Sequence, residues 1–152
     1  MRLHLIAVGR LRAGPERAMV DDYLDRFAKV GRGHGLPPVT LVEVEGRGAD
    51  GEAEAIARAL PPGAALAVLD ERGSALTSPA LAARIGAWRD GARDAAFVIG
   101  GADGTDAALR DRADLVLSMG AMVWPHMLAR VMLAEQLYRA ASILAGSPYH
   151  RA

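Results

Sequence analysis

Cysteine is absent from this chain of 152 residues. Its absence excludes a disulfide framework, a thiolate metal site and a cysteine nucleophile, and leaves the fold to stand on packing alone. Lysine is almost absent too: Lys29 is the single one, and arginine carries the remaining basic charge. Arginine suits bidentate phosphate contacts and stacking on bases, although a chain rich in alanine and glycine also loses lysine through GC-rich coding alone. Net charge is lacking as well, because 18 basic and 18 acidic residues cancel. That balance argues against holding nucleic acid by bulk attraction, and for a small ligand or one shaped site on a large partner. No apolar run approaches the roughly 20 residues that cross a bilayer. Leu3 to Val8 is too short for the apolar part of a secretory signal and no cleavage site follows it, so a cytoplasmic protein is expected. The four histidines, His4, His34, His126 and His150, are scattered without ligand spacing or clustered carboxylates, so no metal site is expected.

What is present suits one domain spanning 1–152. The chain is 51% hydrophobic, enough to bury a proper core. MRLHLIAV stops at Gly9 and reads as a strand. Pro15 suits a first helical turn, and Met19, Val20, Tyr23, Leu24, Phe27 and Val30 recur at three-four spacing, predicting a helix over 15–31. PVTLVEVE (38–45) predicts a second strand, with Val39, Leu41 and Val42 giving way to Glu43 and Glu45. The polar, glycine-punctuated EGRGADGE (45–52) reads as a loop, followed by a helix at about 51–60 and a strand at 65–70. Ser78 as cap and Pro79 in the first turn then predict another helix, and AAFVIG (95–100) another strand. Thr105 is placed to cap a further helix, DLVLSMG (114–120) reads as the last strand, and 125–146 as the longest helix. Strands alternating with helices, several of them continuously apolar, predict an α/β fold with a mostly parallel sheet and helices on both faces.

In such sheets ligands sit beyond the carboxyl ends of the strands. Three loops should occupy that edge: Asp70 to Ser74, Gly100 to Thr105, and Met119 to Trp124. IGGADGTD (99–106) could bring backbone N–H groups close to a ligand or be a plain tight turn; it lacks both the dinucleotide spacing and the P-loop lysine. Asp70 and Glu71 could bind a ribose hydroxyl or be solvated. Ser118 has no nucleophile elbow around it. Glu135 and Arg139 stand one turn apart and read as a surface or dimer ion pair. Taken alone, the SPYHRA tail reads more readily as disordered than as functional. Yet Tyr149, His150 and Arg151 put a stacking ring, an imidazole and a phosphate-binding fork side by side.

Together, LAVLDERG, FVIGGADG, LSMGAMVWPHMLARVMLAEQLYRA and the PYHR end resemble the signatures of the ribosomal RNA large subunit methyltransferase H family, small single-domain SPOUT methyltransferases. The likeness runs from RLHLIAVG to PYHR, with motif order and spacing kept. It implies a SPOUT-type C-terminal trefoil knot, an exception to the rule against threaded chains. It also implies S-adenosylmethionine as cofactor and a homodimer that methylates N3 of a pseudouridine in 23S ribosomal RNA, acting on the large subunit or the assembled ribosome. The matching cofactor-binding positions are Leu69, Gly100, Met119, Gly120, Ala121, Met122, Val123 and Trp124. Tyr149, His150 and Arg151 are implied for substrate binding. His126, Arg130 and His150 are the candidates for handling the N3 proton or the charge it leaves, with no order among them. Met127, Val131 and Leu133 face either a partner subunit or an ordinary core. Two rival readings stand beside this one: a SPOUT enzyme acting on another RNA such as transfer RNA, and a non-catalytic nucleotide-binding α/β protein.

Overall fold

The computed structural model describes residues 1–151. Five strands, β1 (Leu3–Val8), β2 (Thr40–Val44), β3 (Ala65–Ser74), β4 (Ala95–Ile99) and β5 (Leu115–Leu117), form one sheet in the order β2-β1-β4-β3-β5. Every pairing is parallel, so the sheet is more uniform than the expected mostly parallel one. Five helices connect and cover it: α1 (Pro15–Gly31), α2 (Gly48–Ala59), α3 (Ser78–Asp90), α4 (Ala107–Asp111) and α5 (His126–Leu144).

Because side chains alternate along a strand, one set of strand residues feeds each face. Leu3, Leu5, Ala65, Ala67, Ala95 and Phe97 pack with Phe27 of α1, Leu81, Ile85 and Trp88 of α3, and Leu133 and Leu137 of α5. Ile6, Val8, Leu66, Val68, Ala96 and Val98 meet Ile56 of α2 and Leu109 of α4 on the other face. Helices therefore cover both faces, as the continuously apolar strands require. Burying each large aliphatic side chain stabilises by about 1.5–3 kcal/mol. No helix among the described residues is long and apolar enough to cross a membrane.

Several boundaries depart from expectation, each for a local reason. Helix α2 begins at Gly48 and so absorbs much of the polar 45–52 stretch. Thr77, not Ser78, caps α3, its hydroxyl accepting from Ala80 N at 3.2 Å; the Ser78 hydroxyl instead donates to Gln136 at 2.7 Å. Asp106, not Thr105, caps α4 by accepting from Leu109 N at 2.9 Å. β5 is only three residues long. The expected loop Asp70–Ser74 is instead the end of β3, which shifts register and pairs again with β5 through Ser74 and Leu117. Gly73 makes that passage possible, since a Cβ there would lie 2.3 Å from the Val116 carbonyl oxygen.

Candidate active site

Beyond the carboxyl ends of β3, β4 and β5 lies a cleft of about 300 Å³. This edge is where the strand order reverses: the chain steps from β3 back to β4 and then over to β5, and open α/β sheets bind ligands at such points. Leu69 and Asp70 come from β3, and Gly100 to Gly104 follow β4. Met119, Gly120, Met122, Val123 and Trp124 follow β5, with His126 and Ala129 from the start of α5. Seven of the eight expected cofactor positions are thus brought together. Ala121 lies on the same segment but does not line the cleft.

The glycine loop after β4 is both a tight turn and a wall of the cleft. Gly101 and Gly104 bridge, and Gly104 N donates to the Gly101 carbonyl at 3.0 Å. A Cβ on Gly100 would sit 2.7 Å from the Gly104 backbone, so the turn itself requires glycine there. A Cβ on Gly101 would lie 2.9 Å from the Glu52 carboxylate and 3.1 Å from the Val8 side chain. At the segment after β5, the Ser118 hydroxyl accepts from Gly120 N at 3.1 Å and donates to the Gly120 carbonyl at 3.2 Å. Gly120 has φ +111°, a conformation that disfavours any side chain.

Asp70 is neither a free ribose ligand nor a solvated surface acid. Its carboxylate accepts from Arg72 N at 2.9 Å and from the Thr105 hydroxyl at 3.4 Å, and lies 3.5 Å from the Arg110 guanidinium. Arg110 also donates to the Thr105 carbonyl. Together these groups tie the end of β3 to the loop after β4 and fix the separation of two cleft walls. Arg110 gave no signal in the sequence, since one arginine in a short helix is unremarkable. Glu71 and Asp103 are the carboxylates left exposed at the rim.

The three residues expected to handle proton or charge do not stay together. His126 lines the cleft and is exposed. Arg130, one turn further along α5, points away from it into the interior at 1% exposure. There it donates to Glu43 at 2.7 Å and to the Gly9 and Val8 carbonyls at 2.9 and 3.3 Å. A guanidinium so engaged cannot reach a substrate, which corrects its expected place at the reacting atoms. Partial burial pushes the Glu43 carboxyl up, but the Leu11 N–H and the Arg130 guanidinium outweigh it and hold the group below the usual carboxylate range.

The tail is ordered through His150, contrary to the plain reading of its composition. Tyr149 lies 4.5 Å from the Tyr138 ring, and its hydroxyl donates to Glu135 at 3.3 Å. Burial and the Glu135 charge raise the Tyr149 phenol above its ordinary value. Arg139 covers the Tyr149 ring at 4.6 Å, donates to Glu135 at 2.7 Å, and lies 3.2 Å from His150 Nδ1. Since arginine only donates, His150 Nδ1 is the acceptor in that contact. Glu135 and Arg139 therefore form a half-buried tail-docking pair and not a plain surface bridge. Tyr149, His150 and the exposed Arg151 lie outside the cleft of their own chain. Val131 and Leu133 belong to the core, whereas Met127 is 42% exposed.

Residues 1–150 match the protein family described as predicted SPOUT methyltransferase. The chain is similar to a protein of Paracoccus denitrificans named ribosomal RNA large subunit methyltransferase H, with 68% identity over 99% of both chains. Proteins of the same name from Cereibacter sphaeroides and Ruegeria pomeroyi are 65% and 61% identical over the same shares. Among solved structures, a SpoU methyltransferase from Streptomyces viridochromogenes, described as a complex with the cofactor AdoMet, aligns with TM-score 0.44 and 15% identity. That alignment covers 91% of this chain and 57% of the other.

Proposed function

The chain belongs to the SPOUT methyltransferase family, and from that premise we propose that it transfers the methyl group of S-adenosylmethionine to N3 of a pseudouridine in 23S ribosomal RNA. The substrate is the large ribosomal subunit or the assembled ribosome, in the cytoplasm. The observation that carries this reading is the convergence of Leu69, Gly100 and the 119–124 segment on one cleft. The relatives that match along nearly their whole length are named for the ribosomal RNA of the large subunit. A chain of no net charge has little general attraction for naked RNA, so an assembled particle must supply shape.

The cleft suits this cofactor. Adenosine and a methionine chain are largely apolar, and Leu69, Ile99, Leu117, Met119 and Val123 provide apolar walls beside the glycine loop 100–104. When bound, S-adenosylmethionine supplies a methyl group already activated on a sulfonium. The protein's part is to align the acceptor nitrogen and keep water out, which falls to Met119, Met122, Val123 and Trp124. The N3 proton needs an acceptor, and the His126 imidazole, alone of the three candidates in this chain's own cleft, takes it at a ring nitrogen. Arg130 acts at a distance, holding the first turns of α5 against the end of β1.

The same reading includes a homodimer. Met122, Val123, Trp124, Met127 and Leu128 expose 71, 83, 41, 42 and 42% of their surface beside the cleft, a large apolar face for a monomer to leave in water. A second copy covers that face and brings its own Tyr149, His150 and Arg151 to the substrate, which explains why these residues stand away from the cleft of their own chain. The trefoil knot of the family also belongs to this proposal. It is supported by the loops after β4 and β5 folding at one edge, on either side of β3.

The test is to incubate the purified protein with labelled S-adenosylmethionine and ribosomes lacking the modification, then to map the labelled nucleoside by mass spectrometry. Label on N3 of a large-subunit pseudouridine, with stripped ribosomal RNA a poor substrate, is the expected result. Cofactor binding without transfer to ribosomes would overturn the substrate assignment and direct the search to other RNAs. Absence of cofactor binding would favour a non-catalytic nucleotide-binding protein.

A further inference from the structure

Resting on that reading, we propose that the loop between β1 and α1, with Arg10 and Arg12 as its two contacts, grips phosphates of the ribosomal RNA flanking the target base. The segment Gly9-Arg10-Leu11-Arg12-Ala13-Gly14 carries two arginines and no acid. Both arginines are exposed, and neither belongs to any ion pair among the described residues. Of the other exposed arginines without an ion pair among the described residues, Arg47 follows β2 between Glu45 and Asp50, Arg151 is in the tail, and Arg32, Arg58 and Arg112 follow or end α1, α2 and α4. In a parallel sheet the ends of α1, α2 and α4 lie at the amino edge, opposite the cleft.

The loop is rigidly mounted. Leu11, between the two arginines, is buried at 4% exposure, and its N–H donates to Glu43 at 2.7 Å. Gly9 N donates to Val44 O at 2.8 Å, while the Gly9 carbonyl accepts from Arg130 at 2.9 Å. Anchoring the middle residue leaves its two neighbours turned outward on a fixed backbone, so little ordering of the main chain remains to oppose binding. The guanidinium fork matches phosphate geometry, and two such groups can engage successive phosphates.

Position agrees with this use. β1 lies next to β4 in the sheet, and Val8, two residues before Arg10, packs against Gly101 of the cleft wall. Adjacent strands are about 4.8 Å apart, so RNA leaving the cleft toward β2 crosses this loop at once. The rim of the cleft itself is mixed in charge, with Glu71 and Arg72 exposed at the end of β3 and Asp103 exposed after β4. With a net charge of zero, it is the acid-free β1 loop beside this mixed rim that gives a polyanion a local point of attachment. Glu45 and Asp50, exposed near Arg47 after β2, moderate the field there, which confines the grip to the β1 loop.

The experiment compares the Arg10→Ala/Arg12→Ala double variant with an amino-edge control, Arg32→Ala/Arg112→Ala. Ribosome binding is followed by cosedimentation across a salt series, methyl transfer by kcat/KM, and cofactor affinity by calorimetry. The expected result is a loss of roughly tenfold in ribosome affinity and a salt slope shallower by about 1.4–1.8, the value for two lost phosphate contacts. The control should stay within about twofold, and cofactor affinity should be unchanged in both. An unchanged slope, or an equal loss in the control, overturns the assignment. If the wild-type chain binds ribosomes without methylating them, the enzymatic reading fails while the loop is still judged by its slope. If it binds no ribosomes, both fail.

Discussion

Removing Glu43 should damage this protein more than removing its partner Arg130, although Arg130 is the more buried of the two. The pair is joined at 2.7 Å, with side-chain exposures of 28% for Glu43 and 2% for Arg130. Glu43→Ala strands a guanidinium that cannot shed its proton and has only two carbonyls left to bind. Breaking a buried pair from that side costs about 3–5 kcal/mol. Arg130→Met strands a carboxylate that still accepts from Leu11 N and can recruit water, while methionine fills most of the space of the arginine stem. Its cost should be close to that of the lost charge-assisted hydrogen bonds, about 1.5–3 kcal/mol. The double variant should resemble Arg130→Met alone. Urea unfolding followed by circular dichroism at pH 7, with protein concentration held fixed because a dimer would link stability to it, measures all three. Equal costs, or the reverse order, would refute the claim that the buried guanidinium is the costly orphan. The same pair sets an acid limit. The native carboxyl of Glu43 titrates below its unfolded value, so its contribution is present above about pH 4.3 and lost as pH falls through the native value. The acid-induced loss of stability should be smaller in Glu43→Gln than in the wild type.

Two further outcomes follow from the site. Gly73→Ala should destabilise by about 1–3 kcal/mol, because the new methyl collides with the Val116 carbonyl and pries β3 from β5; a thermal midpoint equal to that of the wild type would contradict the close crossing. His126→Asn should lower kcat by about 10²–10⁴-fold with cofactor affinity kept, and an unchanged kcat in single-turnover assays would move the proton acceptor elsewhere.

Much of the fold was legible because it rests on short-range patterns. The α1 limits follow from Pro15 and the apolar spacing up to Gly31, and the strands from continuous aliphatic runs. Where boundaries slipped, a neighbour distant in sequence had decided. Ser78 turned to Gln136, leaving Thr77 as the cap, and Thr105 turned to Asp70, leaving the next helix to Asp106. Strand β3 ran on past Asp70 because Gly73 allows it to lie against β5. Glu43 broke the apolar pattern of its strand, and that visible irregularity marked the residue waiting for Arg130.

By itself, the sequence determined the strand and helix succession, the doubly covered sheet, and the edge loops after β4 and β5, since each depends on local periodicity or glycine placement, while the cleft positions at 69, 100 and 119–124 followed from the family resemblance of contiguous motifs. Only the tertiary structure decided which side chains share the cleft. His126 and Arg130 stand one turn apart on the same helix, yet one faces the cleft and the other the core, because Glu43 and the end of β1 offer Arg130 a partner in the interior. Tyr149 and His150 are ordered because Glu135, Tyr138 and Arg139 of α5 provide the surface on which they dock.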